Sequence, residues 1–227
     1  YVENTSATYE VNGFVMNSAN SKFTQSGGTF TLKGKYRARG YYGSGTVTLT
    51  GGTMNVTGET SQAIGLNPNT ATSVLNISGT FALNAKSDNY AYGVYTQNGT
   101  ATIEENPNLY VEAPTRARVL QGTGGSTTVN GGLFEANGTT ASQSDCYAFI
   151  SEGTSTMTVG GGKFKTNQNN IAYKSTDATL TINGGYFNES SGTSHKDKVE
   201  TYCVSPKHAI EMTAAEIASV GSDYKYK

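Results

Sequence analysis

The chain has no tryptophan, two cysteines, four prolines and only 15% charged residues, and each shortage removes a class of protein. Two cysteines cannot form the dense disulfide framework of a small secreted module. Globular domains carry roughly 25% charge, and the shortfall here leaves too little Lys and Glu for long solvent-facing helices. Sixteen basic and seventeen acidic residues give a net charge of −1, so no overall attraction to nucleic acid or a membrane surface is expected. No apolar run approaches the roughly 18 residues of a membrane span. The chain starts at Tyr1 with neither Met nor an apolar leader, which reads as a processed chain or a piece of a longer one. His195 and His208 have no ligand-type neighbours and are read as surface histidines, with no zinc site and no nucleophile–base pair. The glycine pairs open no helix, so there is no phosphate loop. Neither a metal nor a cofactor is expected.

What fills the chain instead is glycine (28 residues), Thr, Ser and Asn, with 15 Tyr and 8 Phe. Short polar side chains suit strand faces and tight turns. A repeat organises them: an alternating apolar strand, Gly-Gly, any residue, then Phe or a substitute. The clearest copies are Gly27-Gly28-Thr29-Phe30, Gly51-Gly52-Thr53-Met54, Gly131-Gly132-Leu133-Phe134, Gly161-Gly162-Lys163-Phe164 and Gly184-Gly185-Tyr186-Phe187. Ser78-Gly79-Thr80-Phe81 is a shortened copy, and Glu105-Asn106-Pro107-Asn108-Leu109 a degenerate one.

Period-2 strands such as Leu75-Asn76-Ile77 and Leu180-Thr181-Ile182 precede the glycines, and short strands such as Phe30-Thr31-Leu32 follow them. A third column is centred on small residues: Gly13, Ala38, Ala63, Ala91, Ala117, Ala148 and Ala172, with Cys203 as a candidate last member. Three strands recurring every 23 to 31 residues make one coil of a β-helix. One coil cannot bury its apolar face, but a stack of coils makes a continuous core.

The expected fold is therefore all-β: a single-stranded, right-handed parallel β-helix of three sheets and about seven coils over residues 1–212. A short helical cap is expected over 213–227, where Thr213-Ala214-Ala215-Glu216 reads as a capping box and Gly221 as a stop. Phe30, Met54, Phe81, Leu109, Phe134, Phe164 and Phe187 should form one internal stack. Leu49, Ile77, Ile103, Val129, Val159 and Ile182 should form a second. The register puts Cys146 and Cys203 about two coils apart, beyond disulfide reach, so two buried or half-buried thiols are expected.

The segments Thr46–Met54 and Ala178–Phe187, with their strand–Gly-Gly–x–Phe order, resemble the pectin-lyase-like β-helix superfamily. The closer likeness is to bacterial secreted and cell-surface proteins whose coils repeat a Gly-Gly-x-Phe unit, and it covers about residues 11 to 190. The resemblance implies an extracellular or cell-surface location. It also implies either a non-enzymatic scaffold or adhesin, or a polysaccharide lyase or glycoside hydrolase, since the fold hosts both.

Two carboxylates stand out as catalytic candidates. Asp88 and Asp145 each precede a column alanine by three residues, two coils apart, and both are also ordinary turn residues. Glu104 and Glu105 with Asn106 interrupt one glycine pair and are read as an irregular turn in solvent, with a calcium site as the alternative. Residues flanking the small-residue column point outward and form a stripe: Arg37, Arg39, Tyr90, Tyr92, Arg116, Arg118, Tyr147, Phe149 and Tyr173. Aromatic faces there would stack on sugar rings, and guanidinium groups would bind carboxylate or sulfate. The expected function is a non-enzymatic, glycan-binding or adhesin-like β-helix. The alternative is a lyase or hydrolase of the pectin-lyase-like type. The expected partner is a glycan or a surface protein, and no oligomeric state is assigned.

Overall fold

The computed structural model describes residues 1–140, 145–190 and 195–227, and it is a parallel β-solenoid of about seven turns. β1 (Val2–Asn4) precedes the first coil, which holds β2 (Glu10–Met16) and β3 (Lys22–Gly34). The second coil is one long bending strand, β4 (Arg37–Gly58), and the third holds β5 (Gln62–Ile77) and β6 (Ala82–Ser87). The fourth coil comprises β7 (Tyr90–Thr96), β8 (Thr100–Ile103) and β9 (Asn108–Ala113), and the fifth β10 (Arg116–Gly122) and β11 (Ser126–Gly138). β12 (Cys146–Ser151) and β13 (Thr156–Thr166) make the sixth. β14 (Ala172–Lys174), β15 (Thr179–Ile182) and β16 (Tyr186–Asn188) make the seventh. Each coil contributes a strand to three faces, here A, B and C in chain order, and every coil-to-coil pairing is parallel.

The interior rows follow from alternation. On face B the ladder Leu49, Ile77, Ile103, Val129, Val159, Ile182 is continuous, as the periodicity predicts. On face C the row runs Phe30, Met54, Leu83, Leu109, Phe134, Phe164, Phe187. Leu83 stands where the sequence reading put Phe81. Three residues separate Leu49 from Thr53, but four separate Ile77 from its partner-row residue Ala82. The extra residue pushes Phe81 into the corner, where it is still fully buried. Phe164 stacks between Phe134 at 4.9 Å and Phe187 at 5.4 Å.

The second glycine of the pair is required by geometry. Gly52 has φ +83°, and a Cβ there would lie 2.5 Å from the Gly28 carbonyl oxygen. Glu105 takes a left-handed backbone (φ 64°) in the degenerate coil, with its carboxylate accepting the Gly79 N–H at 2.6 Å.

Face A departs from the predicted column at both ends. Val11, not Gly13, pairs with Ala38. Ala38, Ala63, Ala91 and Ala117 then continue to Cys146, not Ala148. Ala172 pairs with Phe149, three positions further along the strand. Cys146 and Cys203 are free thiols, and Cys203 bridges Ile182 on face B, away from the column.

The cap begins before residue 213. α1 (Lys196–Glu200) places Val199 in the core, fully buried. α2 (Ala214–Val220) carries the predicted capping box: the Thr213 hydroxyl accepts the Glu216 N–H, and the Glu216 carboxylate accepts the Thr213 N–H. It buries no side chain of its own. β17 (Tyr224–Tyr226) covers the last coil instead by pairing antiparallel with β16. His195 is not a surface residue. It is fully buried, its ring nitrogens 2.7 Å and 3.1 Å from the carbonyl oxygens of Asn188 and Gln168.

Candidate ligand-binding channel

The sequence of face A bends each of its strands. Pairing steps from Arg39 to Tyr41 and from Tyr92 to Val94, skipping Gly40 and Gly93. Both the skipped residue and the next one are buried: Gly40 with Tyr41, Gly65 with Leu66, Gly93 with Val94, Val119 with Leu120, Ala148 with Phe149. Small residues occupy the bend because backbones crowd there. A Cβ on Gly40 would lie 2.5 Å from both the Gly65 carbonyl oxygen and the Met54 sulfur. Two consecutive inward residues reset the alternation. Residues on either side of the bend therefore both point outward and converge.

The convergence makes a shallow channel along the solenoid. One wall is the row Asn12, Arg39, Ile64, Tyr92, Arg118, Tyr147. The other includes Tyr42 paired with Asn67, then Tyr95, Gln121, Ile150 and Tyr173. Contacts cross between them: the Arg39 guanidinium lies 4.6 Å from the Tyr42 ring centre, Tyr92 stacks on Tyr95 at 5.4 Å, and Tyr147 meets Tyr173 at 6.2 Å. Ile64, Tyr92 and Ile150 are buried yet lie outside the central core cluster, because the opposite wall covers them.

Charge in the channel is organised in two clusters. At the N-terminal end, Arg37 and Arg39 each donate to one carboxylate, Glu10, at 3.4 Å. Two guanidinium groups on one carboxylate leave a local excess of one positive charge. Further along, Arg118 makes a bidentate pair with Asp145 (Nε–Oδ1 2.7 Å, Nη2–Oδ2 3.0 Å) and donates from Nη1 to Glu152 at 3.0 Å. Gln121 donates to the same Glu152 oxygen at 2.8 Å, and Arg116 bonds both Asp145 and the Tyr92 hydroxyl. Burial is the main cause that raises the Tyr92 phenol, opposed by the Arg116 hydrogen bond. The second cluster is balanced, two cations against two anions. Within the channel and its margin, Asn12 Oδ1, Arg37 Nε, Arg39 Nε and Gln121 Oε1 are buried without a hydrogen-bond partner.

A depression of about 320 Å³ opens at the second cluster, lined by Arg118, Asp145, Tyr147, Ile150, Glu152, Asn170 and Tyr173. It offers two tyrosine rings, carboxylate acceptors and an exposed rim at Tyr173 (41% exposed).

The predicted stripe is thus partly assembled and partly corrected. Arg37, Tyr90 and Arg116 share an outer row next to the channel, and Arg39, Tyr92, Arg118 and Tyr147 form one wall. Tyr173 belongs to the opposite wall. Phe149 is removed from the site: it pairs with Leu120 on the inward row, is fully buried, and packs edge-on against Phe164 at 5.1 Å. Tyr92 and Arg118 are only 4% and 7% exposed, so they shape the floor more than the rim.

Asp88 and Asp145 do not form a pair of equivalent positions. Asp145 lies one residue before the column at Cys146, whereas Asp88 is an exposed turn residue three before Ala91. Glu104, Glu105 and Asn106 are exposed in their turn. Among the described residues, no three of His, Cys, Asp and Glu converge on one point as metal ligands would. Glu10, Glu152, Gln121 and Tyr95 were not singled out from the sequence. Only the bend, visible as the small residues Gly40, Gly65 and Gly93 followed by a large apolar one, signals that they join the channel.

No protein-family model matches the chain, and neither the curated proteins nor the solved structures contain a match to it. No helix among the described residues is long and apolar enough to cross a membrane.

Proposed function

We propose that the chain is a non-enzymatic secreted or cell-surface solenoid, of the pectin-lyase-like kind, that binds a glycan along the face A channel. The observation that carries this reading is the channel itself, in which two rows of outward side chains converge on tyrosine faces beside paired charges. Tyrosine rings present apolar faces to sugar C–H groups, and the Asp145 and Glu152 carboxylates accept hydroxyl protons. The balanced cluster suits neutral sugar units, and the positive excess at Arg37 and Arg39 suits a single carboxylate or sulfate on the same chain. The favoured ligand is therefore a glycan with isolated acidic groups, not a polyanion. Binding is favoured over hydrolysis because Asp145 and Glu152 are both engaged by the Arg118 guanidinium. A hydrolase instead sets its two carboxyl groups on either side of the scissile bond, whereas here one guanidinium holds both.

The test is a glycan microarray with the wild type, Tyr173→Ala and Arg39→Gln. Tyr173→Ala should weaken binding to all bound glycans, and Arg39→Gln only to those carrying an acid. Equal binding by all three proteins contradicts the reading, as does release of reducing or unsaturated ends from any bound polysaccharide.

A further inference from the structure

The outer surface of face B differs in composition from the other two. One outward row runs Thr100, Ser126, Thr156, Thr179, and the row beside it Thr102, Thr128, Thr158, Thr181. Four successive coils thus present a hydroxyl at both outward positions, from threonine in every case but Ser126. Strand propensity favours threonine at outward positions in general, but it does not account for this array. On face C the same four coils carry Tyr110, Glu112, Glu135, Asn137, Lys163 and Lys165 outward, with no threonine among them.

The array is regular, uncharged and bare. Ser126–Val129 pairs residue for residue with Thr100–Ile103 on one side and Thr156–Val159 on the other, and the latter with Thr179–Ile182. Thr100, Thr156 and Thr179 are exposed, and the other five residues half-exposed. Of the eight, Thr100 alone uses its hydroxyl within the described residues, donating to the Ser73 carbonyl oxygen at 3.5 Å. The inward residues between the rows, Ala101, Thr127, Met157 and Leu180, are buried, so a packed core backs the face. Threonine is branched at Cβ and restricted at χ1. Its hydroxyls and methyls are therefore held at the strand repeats, about 4.8 Å from coil to coil and about 6.6 Å from row to row.

We propose that face B is an ice-binding surface, its partner the prism face of an ice crystal. That face repeats its oxygen rows at two lengths close to these, at right angles to each other. Waters held by the hydroxyls, and ordered over the methyls between them, take lattice positions of the growing crystal. The array repeats in two directions, as a crystal face does and a single dissolved molecule does not. It has no ring for a sugar to stack on and no charge for an acidic group to pair with. It also lacks the apolar centre that anchors a protein partner. Val74 and Asn76 interrupt it in the third coil, and Thr46 and Thr48 resume it in the second. Mended there, it would span roughly 24 Å over five coil-to-coil steps.

Slow freezing of a dilute solution tests this, with the protein measured in the ice and in the remaining liquid. A protein that does not bind ice is swept into the liquid. The wild type should enter the ice. Thr128→Lys/Thr158→Lys, with two charges at the centre of the array, should stay in the liquid while keeping the wild-type circular dichroism spectrum. Val74→Thr/Asn76→Thr should raise uptake above the wild type. That variant decides the matter if the lysine pair fails to fold, and uptake no greater than the wild type then overturns the proposal. Tyr173→Ala, on face A, should enter the ice like the wild type, which separates this surface from the glycan channel. Wild type left wholly in the liquid overturns the proposal, as does equal uptake of the wild type and a folded lysine variant.

Discussion

Arg118 on β10 and Asp145 at the start of the next coil form a bidentate pair, and the same guanidinium reaches Glu152 at the far side of β12. One side chain, 8% exposed, thereby ties both walls of the channel together. Because it is so little exposed while the carboxylates are 24% and 30% exposed, the carboxylates retain some solvent when it is removed. Arg118→Ala should therefore cost about 3 kcal/mol, the lower part of the range for breaking a buried ion pair. Arg118→Lys should recover only part of this, since an ammonium group cannot make the fork. Urea denaturation of the three proteins measures both; a loss under 1 kcal/mol for Arg118→Ala contradicts the structural role.

The interior stack gives a second expectation. Phe164 is fully buried between two rings, and Phe164→Ala should cost about 3–5 kcal/mol. Lys165→Ala, one residue further along the same strand but pointing outward, should cost under about 1 kcal/mol, because its contacts to Glu135 and Asp223 are solvent-accessible ion pairs. Equal losses contradict the assigned alternation of β13.

The coil architecture was legible because its physics is periodic. The face B ladder from Leu49 to Ile182 needs only alternation and a repeat to be read, and every member sits where it was expected. Single-residue slips were not legible. Phe81 follows a serine–glycine corner and looks like the Phe of its repeat, yet one added corner residue moves Leu83 into the row. Ala148 has the size of a column residue, and the column passes to Cys146 because the bend accepts any small residue. Phe149 was placed outward by strict alternation, which fails at a bend where two neighbouring residues both point in. The carboxylates that neutralise the arginines come from other coils, so nothing local announces them.

Cysteine chemistry checks the corrected column. Cys146 is fully buried, and burial pushes its thiol up to about 12. Cys203 is half-buried and also shifted upward, again by burial first. Iodoacetamide at neutral pH should alkylate Cys203 slowly and Cys146 only after unfolding. Mass spectrometry of the native protein that finds Cys146 modified as fast as Cys203 contradicts the placement of Cys146 inside face A.

The buried histidine makes the C-terminal cap sensitive to acid. Burial lowers the His195 pKa below its ordinary 6.5, against the opposing pull of the Asn188 and Gln168 carbonyls and of Glu189; Lys198 adds to the lowering. With the folded pKa below the unfolded one, the unfolded chain binds the extra proton first. The neutral ring thus contributes stability above pH 6.5, and that contribution is lost as pH falls through 6.5 toward the folded value. Amide protection factors at α1 and β17, taken relative to the intrinsic exchange rate at each pH, should fall over that window, and His195→Gln should flatten the dependence. A cap that becomes more protected between neutral and mildly acidic pH contradicts this account.

The most direct test of ligand binding in the face A channel is chemical-shift mapping with the strongest ligand from the glycan array. The account predicts perturbations concentrated at Arg39, Tyr95, Gln121, Tyr147 and Tyr173, on both walls of the bend. Face C carries its own polar outer ladder, with Asn137 bonded to Tyr110 and Glu112, and serves as the internal control. Perturbations centred on Tyr110 and Asn137, with the channel tyrosines unmoved, would contradict the account.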